Sequence, residues 1–247
     1  RLAVIDFQNL TDPGDSLRLG SIISYLLISN LSEIPTIGVV SSERTKDVLY
    51  AMGKKDTYIG DATSAADFAQ KAGVRWILYG SLIDQEKRLT LTTQLTDITT
   101  DNVISGHRVT SEPDEDIFAL VDRLTKLTQK DLSLPIMTSG GSLDLKTRIT
   151  TRSPEAYRYY LEGLDYMHKL YYDDANRCFE KALSFDSSFA MAYYHLSEQK
   201  DAKLIWQAQK YADNASELER LYIRARTLSA YGKFDSSSVI LHQLLRK

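Results

Sequence analysis

The stretch from Ala72 to Glu112, AGVRWILYGSLIDQEKRLTLTTQLTDITTDNVISGHRVTSE, constrains the fold more than any other part of the chain. It holds three segments rich in β-branched and aromatic residues, Val74–Ile83, Leu89–Asp97 and Asn102–Ser111, separated by two charged turns. That pattern predicts a meander of three antiparallel strands and so a sheet-centred domain. Val74–Ile83 is apolar on both sides, with Trp76, Leu78 and Leu82 against Ile77, Tyr79 and Ile83, as an interior strand covered on both faces requires. Leu89–Asp97 alternates leucine with threonine and glutamine, and Asn102–Ser111 is read as the outer strand.

The flanking residues supply the rest of an α/β domain over residues 1–135. Leu2–Phe7 reads as a buried strand, and the turn-rich QNLTDPGDS follows. Asp15 or Ser16 can accept from the open N–H groups of a helix in which Leu19, Ile22, Ile23, Leu26, Leu27, Leu31 and Ile34 recur at helical spacing. After Pro35, Thr36–Ser41 reads as a second short strand, parallel to the first through a right-handed crossover. Ser42 is the expected cap of SERTKDVLYAM, and Gly73 the expected stop of a helix over Ser64–Ala72. Pro113 to Asp116 opens a last helix whose Ile117, Leu120, Val121, Leu124 and Leu127 face the sheet. The sum is a five-stranded mixed sheet with flanking helices. Residues 136–151, with Gly140 and Gly141 among Ser and Thr, read as a linker, and residues 152–247 read as helix throughout, so the fold class is α/β plus all-α.

Charge and composition narrow the function classes. The first 135 residues carry a net charge of −5 and the remainder +2, neither being the basic footprint of a nucleic-acid binder. One cysteine, Cys178, excludes an intrachain disulfide. The longest apolar run, Ser21–Leu31, is about half of the roughly 20 residues that span a bilayer. Because the chain opens on RLAVIDF without an initiator methionine, it is expected to be a piece of a longer protein.

No metalloprotease helix motif, phosphate-binding Gly-rich loop, nucleophile elbow or paired-cysteine site occurs, so no enzymatic activity and no cofactor are expected. His107, His168, His195 and His242 are too scattered to suggest a metal site, and Cys178 beside Phe179 reads as a packed thiol. The loop Gln8–Ser16, at the carboxyl end of a strand and before a helix N-terminus, stands where α/β folds bind anions or small ligands; Asn9, Thr11, Asp15 and Ser16 are its candidate ligand groups, against the alternative of a plain capped turn. Eleven of the fifteen tyrosines lie beyond residue 150.

Two family resemblances bear on these halves. LAVIDFQN, Gly20, AGVRWILYGSL around Gly73 and Gly80, LTTQLTDITT and DIFALVDRLT, in that order, resemble the TolB amino-terminal-like domain found in bacterial membrane-anchored kinases, nucleotide cyclases and helix-turn-helix regulators. Tyr159, Gly163, Tyr166, Ala175, Phe179 and Ala182 resemble the signature of a tetratricopeptide repeat, and Tyr193, Leu196 and Ser197 recur 34 residues later. Glu162 and Ser187 depart from that signature. A third unit around Ala225, Gly232 and Phe234 comes six residues early, which predicts a shortened second repeat or an irregular turn near Asn214.

The resemblance implies a non-catalytic sensory and protein-interaction region on the extracytoplasmic (periplasmic) side of a bacterial membrane, with any membrane contact made by a segment outside this chain. Alternatives are a periplasmic envelope-assembly scaffold and a small-molecule receptor using the Gln8–Ser16 loop. By repeat register, the groove for a peptide or protein partner would be lined by Tyr157, Tyr160, Leu164, Met167 and His168, then Met191, Tyr194 and Glu198, then Tyr222 and Arg226. Such a mix of rigid aromatics, methionine and charge suits an extended segment. The competing reading is that these tyrosines are packing residues.

Overall fold

The computed structural model describes residues 1–34, 36–54, 59, 62–85, 88–113, 115–133 and 151–244. The Met137–Leu145 part of the expected linker lies outside them. The chain divides into two compact units, Arg1–Thr147 and Arg148–Lys247.

The first unit is built on a five-stranded mixed sheet. Its strands are β1 (Leu2–Val4), β2 (Gln8–Asn9), β3 (Trp76–Gln85), β4 (Arg88–Asp97) and β5 (Asn102–Thr110). β3 is the hub: β1 and β2 lie parallel along one edge, at Trp76–Leu78 and at Ser81–Leu82, and β4 runs antiparallel along the other. β4 in turn pairs with β5 through a register shift at Leu95/Thr96. The expected strand Leu2–Phe7 is thus shortened to Leu2–Val4, and a second short strand, Gln8–Asn9, forms in what was expected to be turn, the two being separated where Phe7 packs on Gly20 and Gly80. A Cβ on Gly20 would stand 2.0 Å from the Phe7 carbonyl oxygen, and one on Gly80 would stand 2.8 Å from the Phe7 ring.

The expected strand over Thr36–Ser41 is corrected to a single parallel bridge, Leu2 to Val39. Ile37 is still bonded back to the Ile34 carbonyl, so only Gly38 and Val40 are left to bond Leu2.

Helices α1 (Leu19–Ser32), α2 (Ser42–Ala51), α3 (Ala62–Ala72) and α4 (Ile117–Asp131) flank the sheet. α2 is capped by Ser41, one residue earlier than expected, through a bond from the Arg44 amide. Gly73, at φ 68°, closes α3 as expected. On one sheet face Ala3, Ile5 and Ile77 meet Val48, Leu49, Phe68 and Ala69 of α2 and α3. The opposite face, with Leu78, Leu82, Leu91 and Leu95 paired across β3 and β4, is covered by α1 and α4, whose Ile23, Leu27, Leu120 and Leu124 are fully buried.

The second unit contains three helix pairs: α5 (Pro154–His168) with α6 (Tyr172–Phe185), α7 (Ala190–Gln199) with α8 (Ile205–Lys210), and α9 (Glu217–Ala230) with α10 (Phe234–Leu244). Each helix packs on the next in sequence. Ser153 caps α5 ahead of Pro154, and Ser216 with Glu219 forms a reciprocal capping box on α9. The middle pair is the short one. Its second helix has six residues and is flanked by 3-10 turns at Ala202–Leu204 and Ala212–Asn214. Small residues stand where the first helix of each pair meets its partner: Gly163, Ser197 and Ala225 are all buried.

Candidate docking groove between two helix pairs

Three residues before each of those small residues stands a tyrosine, so Tyr160, Tyr194 and Tyr222 hold one register position in α5, α7 and α9. Their environments differ progressively: Tyr160 is 2% exposed, Tyr194 half-buried and Tyr222 37% exposed. Around Tyr160 the covering rings are Phe179, His195 and, nearest, Phe189, the residue just before α7. Its ring stacks on Tyr157 at 6.2 Å and meets Tyr160 at 4.9 Å, closing that part of the stripe.

The predicted partner-binding set is corrected accordingly. Tyr157, Tyr160 and Met191 are packing residues, at 2%, 2% and 5% exposure. Leu164 and Met167 are half-buried and His168 exposed, further along α5. What the structure draws together is the remainder. The Tyr194 and Tyr222 rings lie 6.3 Å apart at 56°. The Tyr194 hydroxyl donates to Glu198 Oε1 at 3.2 Å, and Arg226 donates through Nη2 to the Ser197 carbonyl at 3.0 Å. Burial, and then the adjacent Glu198 carboxylate, push the Tyr194 hydroxyl well above its ordinary value, so it is a neutral donor throughout the physiological range.

His195, which sequence reasoning set aside, supports this cluster from behind. Its imidazole stacks on Phe179 at 5.0 Å and 14°, meets Tyr194 edge-on at 5.0 Å, and brings Nε2 within 3.3 Å of the Tyr160 hydroxyl. Nδ1 lies 3.4 Å from Glu198 Oε2, close enough for an ion pair when protonated but without hydrogen-bond geometry. The available signal was its neighbourhood: a histidine next to the register tyrosine of α7 must lie at the seam with the preceding pair.

The second candidate site fills itself. Asp15 accepts from the Leu19 and Gly20 amides at 2.9 Å each, occupying the N-terminus of α1, and also takes the Asn9 amide at 2.9 Å. Asn9 Oδ1 accepts from the Thr11 and Asp12 amides, and Ser16 donates from both amide and hydroxyl to Asp12 Oδ2. Those two bonds hold the Asp12 carboxyl below its usual value. Thr11 exchanges bonds with the Asp84 backbone. Asn9, Thr11, Asp15 and Ser16 therefore form a locked turn with a carboxylate where an external anion would sit, which corrects the ligand-loop expectation.

The described residues form an α/β unit followed in sequence by a short helix-pair array with a half-open aromatic seam between α7 and α9. No protein-family model matches the sequence. Over 202 residues, 79% of its length, the chain is 24% identical to "Putative adenylate cyclase 3" of Rhizobium meliloti, and it spans 32% of that protein. Among solved structures it is similar to the LpoB C-terminal domain from Salmonella enterica, at 19% identity and a TM-score of 0.34, covering 45% of this chain and 82% of that one. LpoB of Escherichia coli gives 21% identity and a TM-score of 0.38 over 44% and 54% of the two chains. A PelC dodecamer from Paraburkholderia phytofirmans gives 18% and 0.31 over 54% and 88%. No helix among the described residues is long and apolar enough to cross a membrane.

Proposed function

We propose that this chain is a non-catalytic protein-interaction region of a larger bacterial signalling or envelope protein, and that it takes an extended peptide segment in the groove between α7 and α9. The observation that carries the reading is the Tyr194–Tyr222 pair. Two aromatic rings, partly open to solvent, are flanked by a carboxylate and a guanidinium whose positions are already fixed by Tyr194 and by the Ser197 carbonyl. Such preorganisation lowers the ordering cost of binding, and tyrosine and arginine are the side chains most enriched where binding energy concentrates.

The similarity to a cyclase sequence supports the signalling version, in which this region senses or recruits for a catalytic domain elsewhere. The envelope-scaffold version assigns the same groove to assembly on the periplasmic side. Labelling of Gln207→Cys in the full-length protein by a membrane-impermeant thiol reagent on intact cells distinguishes an extracytoplasmic position from a cytoplasmic one. The serine–histidine–aspartate grouping of β5 and α4 supports the non-catalytic part of the proposal. Ser105 and His107 both bond the same oxygen of Asp131 at 2.6 Å, so the serine gives its proton to the carboxylate and not to the imidazole.

The test is selection of peptides from a displayed library on the immobilised 247-residue chain, followed by titration against Tyr222→Ala and Arg226→Ala. Loss of at least tenfold in affinity from variants that keep the helical content of the parent chain and fall by only a few degrees in melting temperature supports the groove. Peptides that bind both variants as they bind the parent chain place the surface elsewhere.

A further inference from the structure

The turn between α5 and α6 and the turn between α9 and α10 are the same motif. In the first, the Leu170 amide bonds the Met167 carbonyl and the Tyr171 amide bonds Tyr166; in the second, Gly232 bonds Ser229 and Lys233 bonds Leu228. This geometry requires a left-handed residue at the turn. The third pair uses Gly232 at φ 72°, but the first uses Leu170 at φ 62°. A leucine pays steric strain there, and it recovers nothing by packing, because Leu170 is 67% exposed.

The neighbours share that exposure. Tyr171 is 57% and Tyr172 42% exposed, and at the other turn Tyr231 is 63% and Phe234 69% exposed. Because successive helices joined by short turns alternate in direction, the α5–α6, α7–α8 and α9–α10 turns fall on one edge of the array. Trp206, at the start of α8 and 37% exposed, joins that edge directly: its ring lies 4.5 Å from Tyr231. Lys169, Lys203 and Lys233 are interleaved with these side chains, and Asp173, Asp174 and Asp235 follow in the first turns of α6 and α10.

We infer that this edge docks on the surface of a lipid bilayer, separately from the α7–α9 groove. Tyrosine and tryptophan with an apolar body and a polar tip, next to lysines long enough to reach back to water, are the residues that settle at a membrane interface. Protein interfaces, by contrast, are depleted of lysine. The aspartates offset the lysines, so attachment comes from shallow apolar insertion and depends little on anionic lipid or on salt.

The experiment adds vesicles of phosphatidylcholine, with and without one quarter phosphatidylglycerol, to the chain in a Trp76→Phe background, so that Trp206 reports alone. The expected result is co-sedimentation with both vesicle types, less than twofold difference between them, and a blue shift of Trp206 emission. Leu170→Gly is expected to raise the melting temperature while weakening vesicle partitioning severalfold, a combination that loss of folding cannot produce. Tyr231→Ser with Phe234→Ser is expected to weaken it further. Absence of binding to either vesicle, or binding that these variants leave unchanged, overturns the inference. So does concentration-dependent self-association lost in the same variants, which would give the edge to a second copy of the chain.

Discussion

Gly163 and Phe179 are in direct contact, and a Cβ on Gly163 would come within 2.5 Å of Phe179 Cε1. The ring has nowhere to retreat, since His195 stacks on its far side and Tyr160 meets it at 5.9 Å. Gly163→Ala is therefore expected to cost about 1–3 kcal/mol by overpacking, measured by chemical denaturation followed at a helical wavelength. A cost below about 0.5 kcal/mol, the level of an ordinary surface change, would mean that α5 and α6 do not meet at this point.

The three register tyrosines separate into core and surface. Tyr160→Ala should destabilise by about 3–5 kcal/mol, as deletion of a buried aromatic does. Tyr222→Ala should cost about 1 kcal/mol or less, the worth of one partly exposed ring pair. Equal effects of the two substitutions would contradict the burial gradient along the array.

Asp15 closes the N-terminus of α1 with two amide bonds and also holds Asn9. Asp15→Ala should lower stability by about 1–2 kcal/mol, the range for a lost helix cap. Millimolar phosphate should leave the melting temperature of the parent chain unchanged, because its own carboxylate fills the anion position. A clear rise with phosphate would reopen this loop as a ligand site.

Asp97 ties the end of β4 to the start of β3. It accepts from Arg75 Nε at 2.9 Å, and from the Thr99 hydroxyl and amide. The bond from Arg75, followed by that from the Thr99 hydroxyl, holds its carboxyl far below the usual value. Its folded value lies below its unfolded one, so the stabilisation is complete above about pH 4. It is lost as the pH falls through the depressed folded value. Asp97→Asn should be less stable than the parent chain at pH 7, and the gap should close as both are taken from pH 5 towards pH 2. Salt should narrow it in part, because the Arg75 side chain is 52% exposed. A gap independent of pH would attribute the loss to hydrogen bonding alone.

Strands β3 to β5 were legible because each is a long segment rich in β-branched and aromatic residues between charged turns, with β4 alternating and β3 apolar on both sides. The first strand was legible as buried but not as interrupted. The interruption falls where the Phe7 carbonyl meets Gly20 and the Phe7 ring meets Gly80, residues 13 and 73 positions away. The segment 36–41 has strand composition, yet Ile37 stays bonded to the preceding helical turn. In the helical half, register placed Tyr194, Glu198, Tyr222 and Arg226 on one seam. Register could not separate them from Tyr157 and Tyr160, because it treats all repeats alike. Tyr157 and Tyr160 are covered by side chains that include Phe189, a residue outside the repeating positions.

The arrangement around β3 also fixes an order of assembly. Its partner β4 follows within a few residues, and β5 follows β4 as closely, so that meander closes small loops. β1 must pair Leu2 with Trp76, which closes a loop of more than seventy residues. Loop-closure entropy and the slowness of distant pairings put that step late. Until it happens, β3 presents an unpaired, apolar edge to other chains. The interval between synthesis of the meander and docking of the first strand is then when this protein is most exposed to misassociation, and slowing that docking, for example by burdening Gly20 with a side chain, should reduce soluble yield before it alters the native fold.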